Sequence, residues 1–172
     1  MTASALPLLF LDVDGPLLPF GATPQQLPDG YPVYGRGRSS RPGDNPLTTR
    51  IDPAQGPRLM ALPCELVWAT TWMSEANDCI APWLGLPELP LVEWPDPAPE
   101  EPPGLHWKTP GLVGWAAGRP FAWVDDELTD IDRAWVAEHH PGLALLHHVE
   151  SWRGLADADF ATLDAWLRRT AG

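Results

Sequence analysis

The stretch Leu8-Leu9-Phe10-Leu11-Asp12-Val13-Asp14-Gly15 decides the fold of this protein. Its apolar residues follow one another closely, without the regular alternation of a half-exposed strand, and Asp14-Gly15-Pro16 ends the run. A short apolar run closed by turn residues is typical of a strand that is buried on both faces of a parallel sheet. We therefore predict a first strand over residues 8–13, with two carboxylates near its carboxyl end.

Similar apolar runs recur along the chain and alternate with helix-like patterns. The further predicted strands are Glu65–Thr70, Phe121–Val124 and Leu143–Leu146, with Leu89–Trp94 as a weaker fifth. The predicted helices are Ser74–Leu84, Thr129–His139 and Asp157–Arg169. This alternation favours an α/β fold, a three-layer Rossmann-like sandwich around a mainly parallel five-stranded sheet, in which ligands bind beyond the carboxyl ends of the strands.

Length and composition limit the classes of protein that fit. The 172 residues are enough for one domain spanning residues 1–172. A formal net charge of −12 argues against a general attraction to nucleic acid or to an anionic membrane. No apolar run is long enough for export or membrane spanning, so we expect a cytoplasmic protein. Cys64 and Cys79 lack metal-ligand spacing and are expected to be reduced.

Two stretches rich in proline and glycine interrupt the α/β pattern. Residues 93–104 are predicted to form an exposed loop. Residues 20–57 form an insertion that two interpretations fit. Residues 31–34 and 46–51 can pair as a hairpin flap over the end of the first strand, or the whole segment can be an irregular insertion. The insertion also holds a cluster of basic residues: Arg36, Arg38, Arg41 and Arg50, with Arg58 just beyond it.

Carboxylates follow two of the predicted strands. Asp12 and Asp14 leave the first strand, and Asp125 and Asp126 follow Val124, with Asp130 close behind. Two carboxylates about 4 Å apart repel by roughly 4 kcal/mol at an effective dielectric constant near 20, so such a cluster requires a cation or shifted protonation. Oxygen ligands favour Mg²⁺. Whether Asp125, Asp126 or Asp130 binds the metal directly is left open by the sequence.

The sequence contains the groups that phosphoryl transfer requires. Asp12 is a candidate nucleophile, and Asp14 a candidate acid for the leaving oxygen and base for the attacking water. Thr70 and Thr71 end a strand, where a hydroxyl and a backbone N–H can hold a phosphoryl oxygen, and Lys108 can balance its charge. Each group also has a simpler interpretation, because Asp-x-Asp-Gly is a common strand ending, Thr70 fits a helix cap and a lone lysine is usually solvated.

Four motifs together resemble the haloacid dehalogenase superfamily of phosphatases. They are L-D-V-D-G-P-L at 11–17, V-W-A-T-T-W at 67–72, W-K-T-P-G-L at 107–112 and W-V-D-D-E-L-T-D at 123–130. The resemblance spans roughly residues 6–170. It implies that Asp12 is the nucleophile, that Thr70 and Lys108 hold the phosphoryl group, and that Asp125 and Asp126 complete a magnesium site with Asp12.

The same resemblance implies that Asp14 is the acid and base and binds the metal through its backbone carbonyl. The second aspartate of the first motif is the feature that separates phosphatases from dehalogenases in this superfamily. V-W-A-T-T-W followed by Glu75-Ala76-Asn77, together with W-V-D-D-E, is similar to a bacterial subgroup that accompanies proposed RNA-repair proteins. Pro16 departs from the pattern, since valine or threonine is frequent there.

The expected substrate follows from the resemblance together with the small size of the insertion. Residues 20–57 are too few for a full cap domain, so we expect an open or flap-covered site. Uncapped members of the superfamily that this chain resembles often act on bulky substrates such as nucleic-acid ends or phosphoproteins, and the resemblance therefore implies a nucleotide or a phosphorylated RNA or DNA end. Gly15, Thr71, Arg36, Arg38 and Arg41 are the candidate substrate contacts. The arginines can equally serve only to solvate a glycine-rich loop.

Two functions from different classes remain open at this point. The first is an Mg²⁺-dependent phosphomonoesterase, acting as a monomer or weak dimer with no membrane partner. The second is a catalytically weak module that binds nucleic acid or protein through the same acidic cleft and arginine flap. Trp72, Trp94 and Trp107 lie near the predicted rim and can stack on bases, or they can belong to the core.

Overall fold

The sheet consists of four parallel strands in the computed structural model, which describes residues 5–35, 45–96 and 100–171. The strands are β1 (Leu8–Leu11), β2 (Glu65–Trp68), β3 (Phe121–Asp125) and β4 (Ala144–His148). Their order across the sheet is β2-β1-β3-β4. Leu8 is opposite Glu65 in β2 and Phe121 in β3, so β1 is a central strand. The predicted α/β class and parallel sheet are confirmed.

The sheet in the described residues has four strands and not the predicted five. Within the predicted strand Leu89–Trp94, only Leu91 forms a bridge, to Trp68 at the end of β2. Two backbone hydrogen bonds accompany the bridge, from Trp68 N to Pro90 O (2.8 Å) and from Val92 N to Trp68 O (2.9 Å). Pro90 has no N–H to donate, which prevents a longer ladder.

Within the described ranges, five α-helices connect and cover the strands. They are α1 (Gln55–Met60), α2 (Ala81–Leu84), α3 (Thr109–Ala116), α4 (Asp130–His139) and α5 (Asp157–Thr170). A π-helical turn, Ala76–Ile80, leads into α2, and a 3₁₀ helix spans Pro46–Arg50. The predicted helices at 74–84, 129–139 and 157–169 coincide with the turn plus α2, with α4 and with α5. α1 and α3 were not predicted, because each contains a proline and at least one glycine, which favour a loop interpretation.

The helices lie on both faces of the sheet and form a three-layer arrangement. Side chains of β1 alternate between the faces, and Leu8, Leu9, Phe10 and Leu11 are all fully buried. On one face Leu9 and Leu11 pack with residues of α1, α2 and α5: Leu59, Leu84 and Leu163. On the other face Leu8 and Phe10 pack with residues of α3 and α4: Leu112 and Val136. Each buried leucine or phenylalanine contributes roughly 1.5–3 kcal/mol, so the two clusters fix the position of β1.

Of the two interpretations of the insertion at 20–57, the hairpin has no paired strands in the described part of this segment. Pro46–Arg50 is a 3₁₀ helix, and Asn45 caps it by accepting from the N–H of Leu47. One backbone hydrogen bond, from Tyr34 N to Thr49 O (2.7 Å), joins the two arms. Prolines at 32 and 46 limit regular pairing between them. Arg36, Arg38 and Arg41 lie outside the described residues.

The remaining expectations concern the second loop and the membrane. Residues 93–96 and 100–104 have neither helix nor strand, as predicted for an exposed loop. No helix in the described parts of the chain has the length and apolar character needed to cross a bilayer. Cys64 and Cys79 are free thiols.

Candidate functional site

Asp12, Lys108 and Asp125 form a buried ion cluster at the carboxyl edge of the sheet. Asp12 follows β1 and Asp125 ends β3, and a hydrogen bond from Asp12 N to Val124 O (3.1 Å) keeps the two strand ends side by side. Lys108 Nζ lies 3.0 Å from Asp12 Oδ2 and 2.8 Å from Asp125 Oδ2. All three residues are buried. The structure thus brings together the predicted nucleophile, phosphate-binding lysine and metal ligand.

Asp126 completes a group of three carboxylates. Oxygens of Asp12, Asp125 and Asp126 lie within 4.8 Å of one another, a spacing at which they could hold one cation. Gly15 lies directly against Asp126, because a Cβ at this position would be 2.7 Å from Asp126 Cγ. Gly15 also has φ of +94°, a conformation that side chains disfavour. Because glycine has no side chain, the Asp126 carboxylate can occupy the space next to Gly15.

Asp14 and Asp130 lie apart from this group of carboxylates. The Asp14 carboxylate accepts a hydrogen bond from Trp72 Nε1 (3.1 Å), and its side chain is not one of the three. Asp130 is fully exposed and pairs with Arg133 one helical turn away (3.2 Å). Of the three residues left open by the sequence, Asp125 and Asp126 belong to the cluster and Asp130 does not.

Burial has the largest single effect on the pKa values of the cluster, and each neighbouring charge has a smaller one. Burial raises the pKa of Asp12 to about 7, with Asp125 adding to the rise and Lys108 opposing it. Burial and the neighbouring Asp125 raise the pKa of Asp126 to about 6. Burial alone would lower the pKa of Lys108, but Asp12 and Asp125 outweigh it and raise that pKa. Three carboxylates around one ammonium leave an excess of negative charge, which a divalent cation would neutralise.

Lys108 is held in place by two residues that the sequence did not identify. The His106 ring accepts a hydrogen bond from Lys108 N through Nδ1 (3.1 Å). Asp132 Oδ1 accepts from His106 N and from Thr109 Oγ1, both at 2.8 Å. Asp132 is fully buried and belongs to the capping box of α4 with Thr129. The spacing Thr129-x-x-Asp132 signals the cap, but no local pattern signals bonds to residues more than 20 positions away.

His106 also belongs to a second group of possible ligands, with Asp125 and Glu127. Its Nε2 is 3.2 Å from Glu127 Oε2 and 3.8 Å from Asp125 Oδ1. Because Nδ1 accepts the Lys108 N–H, a neutral ring carries its hydrogen on Nε2 and has no lone pair there for a metal. The carboxylates of Asp12, Asp125 and Asp126 are therefore the better candidate cation site.

Thr70 and Thr71 lie at the end of β2, next to β1. Thr70 is buried, and its Oγ1 accepts a hydrogen bond from Trp72 N (3.2 Å) in the manner of a capping hydroxyl. The Thr70 carbonyl accepts from Trp94 Nε1 (3.1 Å). Thr71 is exposed and, with Asn45, Trp72 and Glu75, lines a cavity of about 230 Å³. Of these two threonines, Thr71 is the one whose hydroxyl a ligand can reach from solvent.

The three tryptophans predicted at the rim contact residues of the site. Trp72 binds Asp14, and Trp94 binds the Thr70 carbonyl. Trp107 packs edge-on against Trp94, with 4.9 Å between ring centroids, and Lys108 Nζ lies 5.7 Å from the centre of the Trp107 ring. Trp107 is 38% exposed. Aromatic surface therefore borders the carboxylates.

The fold and the site define a class, a parallel α/β protein with a buried carboxylate–lysine cluster at the carboxyl edge of its sheet. Comparison with family models, with curated proteins and with solved structures found no match to this chain. What this class of site does is therefore argued from its residues.

Proposed function

We propose that this protein is an Mg²⁺-dependent phosphomonoesterase that acts through a phosphorylated Asp12. The observation that carries the proposal is the placement of Lys108 Nζ 3.0 Å from Asp12 and 2.8 Å from Asp125, with Asp126 beside them. A nucleophilic carboxylate, a fixed cation and a set of oxygen ligands at one strand edge are what phosphoryl transfer requires. The resemblance of the four motifs to haloacid dehalogenase phosphatases supports the same reaction.

The residues present fit a magnesium ion. Asp12, Asp125 and Asp126 offer hard oxygen ligands within 4.8 Å of one another. Gly15 leaves room for Asp126, and burial first and the neighbouring Asp125 second raise the pKa values of Asp12 and Asp126. The backbone carbonyl of Asp14 is the further ligand that the resemblance proposes. When bound, Mg²⁺ would supply positive charge to the phosphoryl oxygens.

The proposed reaction has two steps. In the first, an oxygen of ionised Asp12 forms a bond to phosphorus while the bond from phosphorus to the leaving oxygen breaks, and a proton from Asp14 neutralises that oxygen as an alcohol. In the second step, the oxygen of a water molecule forms a bond to phosphorus while Asp14 accepts a proton from that water. The bond from Asp12 to phosphorus breaks, which releases inorganic phosphate and restores both carboxyl groups.

The remaining residues bind and orient the phosphoryl group. Lys108 opposes the rise in the pKa of Asp12 that burial causes, and it places one ammonium beside the transferring oxygens. Thr71 presents an exposed hydroxyl, while Thr70 holds the strand end through Trp72 N and Trp94 Nε1. Trp72 Nε1 keeps the Asp14 carboxylate at the mouth of the site. Arg36, Arg38 and Arg41 are proposed to contact further phosphates of the substrate.

The proposed substrate is a nucleotide or the phosphorylated end of RNA or DNA. Exposed Thr71 and Trp107 at the rim support a site that a bulky substrate can reach. A cytoplasmic location and a monomer or weak dimer belong to the same proposal, and the free thiols of Cys64 and Cys79 agree with a reducing compartment.

The test is phosphate release from p-nitrophenyl phosphate, nucleotides and phosphorylated oligonucleotides, with Mg²⁺ and with EDTA. We expect activity only with Mg²⁺, and its loss in Asp12→Asn, Lys108→Met and Asp126→Asn. Asp130→Asn is the matched control, because Asp130 follows the same strand yet is fully exposed. Activity that survives in Asp12→Asn would refute the mechanism, and tight oligonucleotide binding without turnover would favour a binding module.

A further inference from the structure

A second cavity, of about 280 Å³, begins at the turn that follows Asp14. Pro16 and Leu17 of this turn form one wall, residues 27–34 of the insertion another, and residues 152–155 between β4 and α5 a third. Small-molecule pockets usually measure about 300–1,000 Å³, so this cavity has room for a single ring system with its substituents. It begins within three residues of Asp14 along the chain, and its lining residues do not include those of the carboxylate cluster.

Three aromatic side chains contribute to the walls of the cavity. Tyr31, Tyr34 and Trp152 line it and are half-buried, with Pro16 and Pro32 between them. Tyr31 is fixed in position, because its hydroxyl accepts from Ala22 N (2.8 Å). Rings that are held at a cavity wall with one face accessible are suited to stacking on a planar ligand.

The polar groups of the cavity require both a donor and an acceptor on the ligand. Arg50 lines it with its guanidinium 5.1 Å from the centre of the Tyr31 ring, and no described carboxylate forms an ion pair with it. Asp52 uses Oδ1 to accept from Ala54 N, which leaves Oδ2. Gln55 donates its amide N–H to Leu155 O (3.2 Å), while its Oε1 is buried without a hydrogen-bond partner in the described structure. An unfilled buried acceptor is costly, and an N–H on a ligand would fill it.

We propose that this cavity binds a nucleobase. A base is planar, carries carbonyl or ring-nitrogen acceptors of the kind that arginine recognises, and carries N–H donors for Asp52 and Gln55. A hydrocarbon ring would leave these polar groups unpaired. Because the cavity adjoins the turn after Asp14, the base is that of a nucleotide whose phosphate reaches Asp12. This last link rests on the proposed phosphatase activity, whereas binding of the base does not.

The direct test is calorimetric titration of the full-length Asp12→Asn protein with adenosine, guanosine, cytidine and uridine, and with ribose as the probe that lacks a base. We expect at least one nucleoside to bind and ribose not to bind. Tyr31→Leu and Arg50→Gln each remove one contact and should weaken binding about tenfold or more. Arg58→Gln is the matched control, since its guanidinium lies over Phe160 (4.0 Å) and pairs with Asp157 away from the cavity.

Thermal unfolding of each variant separates lost binding from lost folding. Tyr31→Phe keeps the ring and gives a second measure if Tyr31→Leu does not fold, and it should retain most of the affinity. Absence of binding by all four nucleosides would overturn the inference. Equal binding by the Asp12→Asn protein and by its folded Arg50→Gln and Tyr31→Leu variants would overturn it as well.

Kinetics distinguish failure of this inference from failure of the proposed function. If nucleotides and an alkyl phosphate are hydrolysed with equal kcat/KM, and Arg50→Gln changes neither, the cavity does not bind the base although the phosphatase activity stands. If nucleosides bind in an Arg50-dependent manner but no phosphate is released, the base site stands and the phosphatase proposal fails.

Discussion

At the scale of single residues, Gly15 of the first motif packs directly against the Asp126 carboxylate of the fourth motif. Its φ of +94° and the 2.7 Å between a hypothetical Cβ and Asp126 Cγ are separate reasons for glycine. Gly15→Ala should therefore displace Asp126 in addition to straining the turn. We expect unfolding free energy to fall by about 1–3 kcal/mol and stabilisation by Mg²⁺ to be lost.

Gly21→Ala is the control for this substitution. Gly21 has φ of +79°, but a Cβ there would meet nothing within 4 Å. Gly21→Ala should therefore lower the free energy of unfolding through backbone strain alone, and it should leave stabilisation by Mg²⁺ intact. The measurements are urea unfolding and metal titration of both variants, and an equal loss of Mg²⁺ binding in the two would contradict the role assigned to Gly15.

Trp72 is the residue whose side chain determines where Asp14 lies. Its Nε1 donates to Asp14 Oδ2 (3.1 Å), and Trp72→Phe removes this donor while keeping an aromatic ring. A hydrogen bond to a charged group contributes about 1.5–3 kcal/mol, so we expect kcat to fall by about tenfold or more with KM little changed. Trp115→Phe, at the half-exposed Trp115 packed on Phe10, should leave kcat unchanged. A fall in kcat of equal size in both variants would contradict the positioning role.

At the scale of elements, the N-terminus of α4 fixes the segment that carries Lys108. Burial acts to raise the pKa of Asp132, but hydrogen bonds from His106 N, Thr129 and Thr109 outweigh it and hold that pKa below its usual value of 3.8. The folded state thus favours ionised Asp132. This stabilisation is complete above the unfolded-state pKa and is lost as pH falls below about 3.8.

Asp132→Asn is therefore expected to destabilise the protein in a pH-dependent manner. At pH 7 unfolding free energy should fall by about 2 kcal/mol, because the amide replaces an acceptor that binds four donors. The difference from wild type should be constant between pH 7 and 5 and shrink below about pH 4. Urea unfolding at several pH values measures it, with exposed Asp130→Asn as control. A difference that grows on acidification would contradict the assignment.

The elements that the sequence predicted are those whose signals are local. Leu8–Leu11 and Phe121–Val124 are apolar runs with a clear end, and Thr129 with Asp132 marks the start of α4. The predicted fifth strand is reduced to one bridge in the structure, because an apolar pattern does not reveal that Pro90 limits the pairing. α3 was missed because Thr109-Pro110-Gly111 resembles a turn, although proline suits the first turn of a helix.

The residues that form the candidate site could be predicted from the sequence, but the contacts that hold these residues in place could not. Asp12, Asp125 and Asp126 follow from motifs at strand ends and Lys108 from the motif that begins α3, and the structure brings the four residues together. The positions of His106 and Asp132 depend on long-range packing of α3 against α4, which spacing in the sequence does not encode. The cavity beside Tyr31 also arises from three distant segments and leaves no local signal.

At the scale of the whole molecule, the proposed binding of Mg²⁺ by the carboxylate cluster predicts that stability depends on divalent cations. A ligand at 100 times its Kd adds about 2.7 kcal/mol of stability, and each kcal/mol shifts Tm by about 2–4 °C in a protein of this size. Saturating Mg²⁺ should therefore raise Tm by about 5–10 °C. Asp126→Asn should lose most of this shift, and in EDTA it should melt no lower than wild type, since it relieves repulsion with Asp125. An equal shift in both proteins would exclude Asp126 from the cation site.

The position of β1 between β2 and β3 also determines when Asp12 acquires its surroundings. During synthesis the chain emerges from its N-terminus, so Leu8–Leu11 appears first, while its partners begin only at Glu65 and Phe121. A growing chain that ends before residue 121 holds Asp12 but has no β3 to place Asp125 beside it. β1 is thus made before either of its partner strands, and a nascent chain needs protection of this apolar segment until Phe121–Asp125 has emerged.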